Sequence, residues 1–377
     1  MTHNDISPSQ PDPSQFAEPR VQLDYVPKPG LGGLAIKNFL LTVITLGIYS
    51  FWAKTHVRRH IWSCVHVMDE PLEYTGTGKE LFLGMLVILG IVVLPLYVIQ
   101  TAVQFIFPGN PVVFASVQIA LVVLVLYLIG VAIYRARRYR LSRTIWRGIR
   151  GTLTGSPWVY AWRNFWMTLL LPLTLLWSYP WMRVQLNSQI MNETQIGSES
   201  FRFDGRSGPL YGRYAVLWIL SLVLLVIGSG LYTALTVGLG LAAASSETPM
   251  TPEAIAIATV AGVVLVLPLF ALVTAIFRAI YVSAELNYFA KCTGFEGARF
   301  AMNATPLSLI GLAIGNFFIL VLTLTIAAPF VQQRLVRYVC DRTTISGAVD
   351  VAAIQQSQAE LDKRGEGLAE VFDIDAF

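Results

Sequence analysis

Hydrophobic positions in this chain come in long unbroken runs rather than in the short alternating patterns of a soluble fold. Two runs contain no Lys or Arg at all, residues 80–134 and 214–277. A helix needs about 20 apolar residues to cross a bilayer, so each run holds two crossings and a short turn. The first turn is Phe107-Pro108-Gly109-Asn110-Pro111, whose prolines cannot continue a helix. The second runs from Ser245-Ser246-Glu247-Thr248-Pro249 to Thr251-Pro252-Glu253. Neither turn carries a positive charge, whereas Arg crowds the far ends of both hairpins. The positive-inside rule then puts the turns outside, and the Arg-rich ends and both chain termini in the cytoplasm.

Three further apolar stretches, the A segments 34–52, 161–181 and 307–330, have positive charge on both sides. Two arrangements fit them. Either all three span, giving seven crossings and leaving basic loops outside, or they enter and return, giving four. Charge bias favours the second. Gly47, Pro172 and Ala327-Ala328-Pro329 are the interruptions that such a shape would use. The segments resemble one another. Asn38–Trp52 aligns without gaps to Asn316–Phe330, and Asn164-Phe-Trp-Met-Thr168 with Thr174–Trp181 forms a middle copy carrying a three-residue insertion. The plan reads A-hairpin-A-hairpin-A, with hairpins at 81–134 and 214–277. Five linkers rich in Thr, Gly and aromatic residues, at 72–78, 151–155, 201–205, 293–297 and 343–347, read as short strands forming a cytoplasmic β-layer. The expected fold is an all-α polytopic membrane domain over residues 30–350. A disordered N-terminal tail, 1–29, and an acidic C-terminal tail, 351–377, flank it.

Composition agrees. Hydrophobic residues make up 55% of the 377 and charged residues 13%, about half the usual share. Mean hydropathy is +0.59. A soluble two-domain enzyme, a disordered chain and a disulfide-stapled module are all excluded. The polar, Pro-rich N-terminus does not read as a cleavable signal peptide.

The run Asn38…Leu46-Gly47-Ile48-Tyr49-Ser50-Phe51-Trp52-Ala53-Lys54…Arg58-Arg59, followed by Glu73-Tyr74-Thr75-Gly76-Thr77-Gly78, resembles the signature of the YjgN-type family of bacterial inner-membrane proteins. Trp146-Arg-Gly-Ile-Arg150 and Gly365–Asp375 also resemble it, and Pro329-Phe330-Val-Gln-Gln departs from it. The resemblance implies a multi-pass protein of the Gram-negative inner membrane and no activity. It also hints at a membrane-associated zinc metallopeptidase as a partner.

Candidate chemistry is sparse. His56, His60 and Cys64 share one helical face at metal-ligand spacing, but Lys54, Arg58 and Arg59 repel a cation there, and interfacial anchoring explains the same residues. No His-Glu-x-x-His, nucleophile elbow or phosphate loop occurs, so the chain reads as non-enzymatic and without a cofactor. Arg135, Arg137, Arg138, Arg140, Arg143, Arg147 and Arg150 form a helix basic most of the way round, suited to anionic lipid headgroups rather than nucleic acid. Asn38, Asn164 and Asn316 stand at the cytoplasmic entrances of the A segments and would line the inner mouth of a path. Glu80 and Glu285 lie within reach of Arg residues at the hairpin bases. The leading functional expectation is a transporter or channel-like protein for a solute or lipid. The alternative is a scaffold that recruits a partner, such as the metallopeptidase, through tail residues 360–377.

Overall fold

The computed structural model describes residues 22–245 and 251–347 together with Val349 and Ile354, apart from some side chains between 235 and 272. Five units follow one another, each a strand, a helical hairpin and a second strand. The first is β1 (Leu23–Tyr25), α1 (Leu31–Ile44), α2 (Ser50–Trp62) and β2 (Val65–Val67). The second runs through β3 (Glu70–Pro71), β4 (Glu73–Tyr74), α3 (Gly78–Ile88), α4 (Leu94–Ile106), α5 (Pro111–Arg143) and β5 (Thr144–Trp146). The third comprises β6 (Ile149–Leu153), α6 (Pro157–Leu173), α7 (Tyr179–Glu193) and β7 (Thr194–Ile196). The fourth holds β8 (Glu199–Phe203), α8 (Gly208–Ser245), α9 (Pro252–Lys291) and β9 (Thr293–Phe295). In the fifth are β10 (Ala298–Met302), α10 (Pro306–Leu322), α11 (Ala328–Arg342) and β11 (Thr343–Ser346).

Within every unit the two strands pair antiparallel, with Asp24 opposite His66, Tyr74 opposite Thr144, Thr152 opposite Gln195, Arg202 opposite Gly294 and Ala301 opposite Thr344. Tight hairpins join one unit to the next. At two of them, Met68-Asp69 and Arg147-Gly148, both central residues have positive φ, as a twist-matched two-residue turn requires. β4 to β11 form one sheet in sequential order, β1 to β3 a second, and only Leu72 separates β3 from β4. The curl brings β1 back against β11. The helices close a parallel circuit: α2 packs on α3, α5 on α6, α7 on α8, α9 on α10, and α11 returns to α1 and α2.

One main-chain hydrogen bond recurs in all five units. The first residue beyond the leading strand donates its N–H to the carbonyl of the residue just before the trailing strand. These bonds are Val26 to Cys64 (2.8 Å), Thr75 to Arg143 (2.9 Å), Thr154 to Glu193 (3.0 Å), Asp204 to Cys292 (3.1 Å) and Asn303 to Arg342 (3.0 Å). Each occupies a carbonyl that would otherwise be left over as helix gives way to strand.

The fold is therefore not all-α. The linkers expected as β-pieces fall on β4, β6, β8, β9 and β11, but the sheets they build are larger than a scatter of pieces. Leu23–Tyr25, placed in the N-terminal tail by sequence, forms β1, whereas residues 1–21 lie outside the description. Among the described residues, three helices are long and apolar enough to cross a membrane: Gly78–Ile106, Pro111–Arg143 and Gly208–Ala234. The first contains a π-helical stretch, Leu89–Val93, where Pro95 lacks the N–H that a regular ladder needs. Asn110 caps α5, its Oδ1 accepting from the N–H groups of Val112 and Val113.

Each A segment is two helices joined by a tight turn, and the three turns share one hydrogen-bond pattern. Thr45, Thr174 and Thr323 donate Oγ1–H to the carbonyls of Leu41, Leu170 and Ile319. Their Oγ1 atoms accept from the N–H groups of Tyr49, Ser178 and Ala327. The next two residues take positive φ: Leu46-Gly47, Leu175-Leu176 and Leu324-Thr325. The sequence places the bend correctly at Gly47 only. Pro172 sits in the last turn of α6, and Ala327-Ala328-Pro329 begins α11. Bends two and three fall on residues without glycine's freedom, held there by the threonine bonds.

A left-handed conformation costs a non-glycine residue about 1–2 kcal/mol. Thr325→Gly should therefore be more stable than Thr325→Ala by about 1 kcal/mol, read as the difference in thermal midpoint of the two purified variants. Equal midpoints, or a more stable alanine variant, would contradict this turn geometry.

Candidate functional site, a cationic cavity beside an apolar chamber

The strands turn apolar side chains inward around a chamber of about 260 Å³. All five units contribute: Leu23 and Val67, then Leu141 and Trp146, Ile149 and Ile196, Phe201 and Phe295, and finally Phe300 and Ile345. Strand alternation sends the intervening basic residues outward, so Arg202 and Arg299 are exposed. Phe201 anchors the inner face, its ring 4.7 Å from that of Phe295 and 6.0 Å from that of Phe300.

A second cavity lies where three elements of the helical circuit meet. Lys54, Arg58, Ile61 and Trp62 of α2, Arg140 of α5, and Gln332 and Val336 of α11 enclose about 20 Å³, room for a single water. Trp62 joins the two hollows, because its indole N–H donates to Thr144 Oγ1 at 3.0 Å and Thr144 lines the chamber. One turn up α5, Arg137 has a buried Nε with no hydrogen-bond partner and lies in the field of Arg183 on α7.

The basic run divides among several structural roles. Its helix ends at Arg143, and Arg147 and Arg150 belong to the β5–β6 hairpin, so no single helix carries all seven arginines. Arg138 donates Nε–H to the carbonyl of Leu153 at 2.9 Å, reaches Gly155 as well, and stacks over Tyr134. Arg143 pairs with Glu80 at 2.8 Å, and Tyr139 donates to the other carboxylate oxygen at the same distance. Arg147 reaches the carbonyl of Met68, and Arg135 lies 6.0 Å from the Trp158 ring. These contacts are internal to the protein, which a sequence reading aimed at lipid could not separate from headgroup contacts. Glu285 is 4% exposed and accepts from Arg183 Nε at 2.6 Å, so both carboxylates flagged at the hairpin bases are paired.

The asparagines sit at helix–helix contacts. Asn38 is buried and donates to the carbonyl of Ala53 on the returning helix at 3.4 Å. Asn316 is buried too, and the Oδ1 atoms of both lack partners. Asn164 is half-buried on α6, facing Gly130 on α5. None of the three lines the cationic cavity. His56, His60 and Cys64 do not converge, and among the described residues no group of three His, Cys, Asp or Glu does. His56 lies against Tyr49, Cys64 follows the end of α2, and its thiol points to the His60 carbonyl. Burial, then Arg59 and Lys37, lowers the His56 pKa.

At the seam, burial and then the neighbouring Asp341 push the Cys340 thiol up to about 11, and burial first pushes Tyr25 up to about 12. Both stay protonated at neutral pH. The contribution of Cys340 is complete below its ordinary 9.0 and is lost as pH rises through about 11. The cavity and the chamber escaped sequence reasoning because each is assembled from distant units. The tail at 360–377 and residues 246–250, where sequence placed the second turn, lie outside the described residues.

A family model described as bacterial protein of unknown function (DUF898) matches residues 30–371. The chain is 39% identical over 75 residues to inner membrane protein YjgN of Salmonella typhimurium (strain LT2), covering 19% of each. It is 24% identical over 138 residues to inner membrane protein YjgN of Escherichia coli O157:H7, covering 37% of this chain and 32% of the relative. The matches thus span a third or less of these relatives. No solved structure matches.

Removing Arg183 leaves the Glu285 carboxylate buried and unpaired. Arg183→Gln should cost on the order of 2 kcal/mol, below the figure for a fully buried pair because the Arg183 side chain is 47% exposed. Adding Glu285→Gln should restore part of the loss, as a double-mutant cycle of thermal midpoints would record. Strict additivity would contradict the pairing.

Proposed function

The chain belongs to the bacterial family of unknown function DUF898, and from that premise we propose that it is a multi-pass inner-membrane protein forming a narrow passage for small anions. The hairpins α3–α5 and α8–α9 cross the bilayer. The short hairpins α1–α2, α6–α7 and α10–α11 enter from the strand side and return to it.

Strand pairing supports the return. β1 with β2, β6 with β7, and β10 with β11 hold both ends of each short hairpin in the ring of strands, which cannot lie on two faces of a membrane. Length supports it too. α1 has 14 residues and α6 and α10 have 17, about 21–26 Å of helix against a hydrocarbon core of about 30 Å. Their tips are apolar and exposed, Leu46 at 93% and Leu324 at 79%, as lipid-facing ends would be. With the Arg-rich ends, the ring of strands and both termini face the cytoplasm.

The observation that carries the functional reading is the cavity inside the helical circuit, lined by Lys54, Arg58 and Arg140. Cations held against low-dielectric walls concentrate anions and exclude cations. Residues 81–134 contain no ionisable side chain except Tyr97, Tyr127 and Tyr134, so that stretch offers no carboxylate for proton coupling, in keeping with a passive passage. The role is non-catalytic.

With an added potassium ionophore to carry the compensating charge, purified protein in liposomes should release entrapped chloride faster than empty liposomes do, and without the ionophore it should release no potassium. Arg58→Gln with Arg140→Gln should slow chloride release by roughly tenfold. Chloride release no faster than from empty liposomes, or equal potassium leakage, would defeat the reading.

A further inference from the structure

We infer that Arg137, on α5 where it faces α6 and α7, anchors a binding site for a phosphate group. Its Nε is buried without a hydrogen-bond partner, and among the described residues its side chain makes no ion pair. A guanidinium stays charged at any cellular pH, so one partly taken out of water and left unpaired calls for an anion. The surrounding protein supplies none. The groups that act on Arg137 are Tyr160 of α6 and Arg183 of α7. Tyrosine is neutral at pH 7, and arginine carries the same sign as Arg137. The carboxylates on adjoining helices are engaged elsewhere: Glu285 with Arg183, Glu80 with Arg143 and Tyr139, and Glu193 with Tyr134 and Gln189.

Arg137 is an exception on its own helix. Arg138, Arg140 and Arg143 each reach an acceptor, the carbonyls of Leu153 and Ala136 and the carboxylate of Glu80. The chemistry of the donors sets the class of ligand. The two Nη nitrogens of Arg137 are not sealed in as Nε is, and they make no hydrogen bond among the described residues. Side by side they form a fork that takes two oxygens of a phosphate at once, a geometry that a spherical chloride cannot use. Arg183 commits its Nε to Glu285 while its side chain stays 47% exposed, so its positive charge faces the same anion. Tyr160 is 3% exposed and held against the Tyr134 ring at 5.4 Å, which fixes a hydroxyl donor nearby. The site stands apart from anion passage: a protein that releases no chloride can still bind phosphate here.

Titration calorimetry and thermal midpoints of the full chain, purified in detergent and dialysed free of phosphate, test the site. Inorganic phosphate should raise the wild-type midpoint where sodium chloride of equal ionic strength does not. Arg137→Gln should weaken phosphate affinity by roughly tenfold or more. It should also match the wild-type midpoint in phosphate-free buffer, because the lost charge had no protein partner. Arg299→Gln, on the exposed face of β10, should bind phosphate as the wild type does. Should Arg137→Gln fail to fold, Arg137→Lys decides, since it keeps the charge without the fork and should bind about threefold more weakly. Dihexanoylphosphatidic acid binding more tightly than inorganic phosphate would assign the site to a lipid headgroup, and the reverse order to free phosphate; either supports it. No binding of either compound to the wild type, or wild-type affinity in the Arg137 variants, would overturn it.

Discussion

The structure depends on main-chain hydrogen bonding where each helical hairpin meets its strands. In every unit an N–H just past the leading strand bonds the carbonyl just before the trailing strand, at 2.8–3.1 Å. That bond and the ladder beside it force the two ends of a hairpin together, however long the hairpin is. Units with short and long hairpins alternate, yet their feet stand in one ring, because the feet obey the same backbone rule. The curled strands, the chamber inside them and the helical circuit all follow from five repetitions of this closure.

Charge is distributed to suit that frame. Glu80 neutralises Arg143 across the base of the second unit, and Glu285 neutralises Arg183 where the fourth unit meets the third. Arg138 is spent on the carbonyls of Leu153 and Gly155, and Arg59 makes the same use of Tyr74 and Gly76. Lys54, Arg58 and Arg140, which have partners of their own, also line a shared cavity beside a chamber walled by leucine, isoleucine and phenylalanine. A cationic recess beside an apolar one favours molecules or segments that are acidic and apolar at once.

Much of this was legible in the sequence where the signal is local. Charge-free runs marked the long hairpins, Thr-Gly-aromatic linkers marked five of the eleven described strands, and the likeness of Asn38–Trp52 to Asn316–Phe330 falls on turns of the same hydrogen-bond pattern. Non-local features were hidden. Leu175-Leu176 and Leu324-Thr325 look like ordinary helix, and only the Thr174 and Thr323 bonds reveal why they bend. Arginines 135–150 read as one helix basic most of the way round, but a hairpin turn at Arg147-Gly148 splits them. Nothing about Trp62, Arg140 and Gln332 as letters in a chain predicts that they share a cavity.

The most direct test of the account is the sidedness of one short hairpin. Single cysteines at Lys28 and Glu70, exposed positions just before α1 and just after β2, can be compared with one at Asn110 in intact and lysed spheroplasts. An impermeant reagent should reach Asn110 in intact cells and the other two only after lysis. Labelling of either Lys28 or Glu70, but not both, in intact cells would mean that α1–α2 crosses the membrane, and the closure at its feet would be wrong.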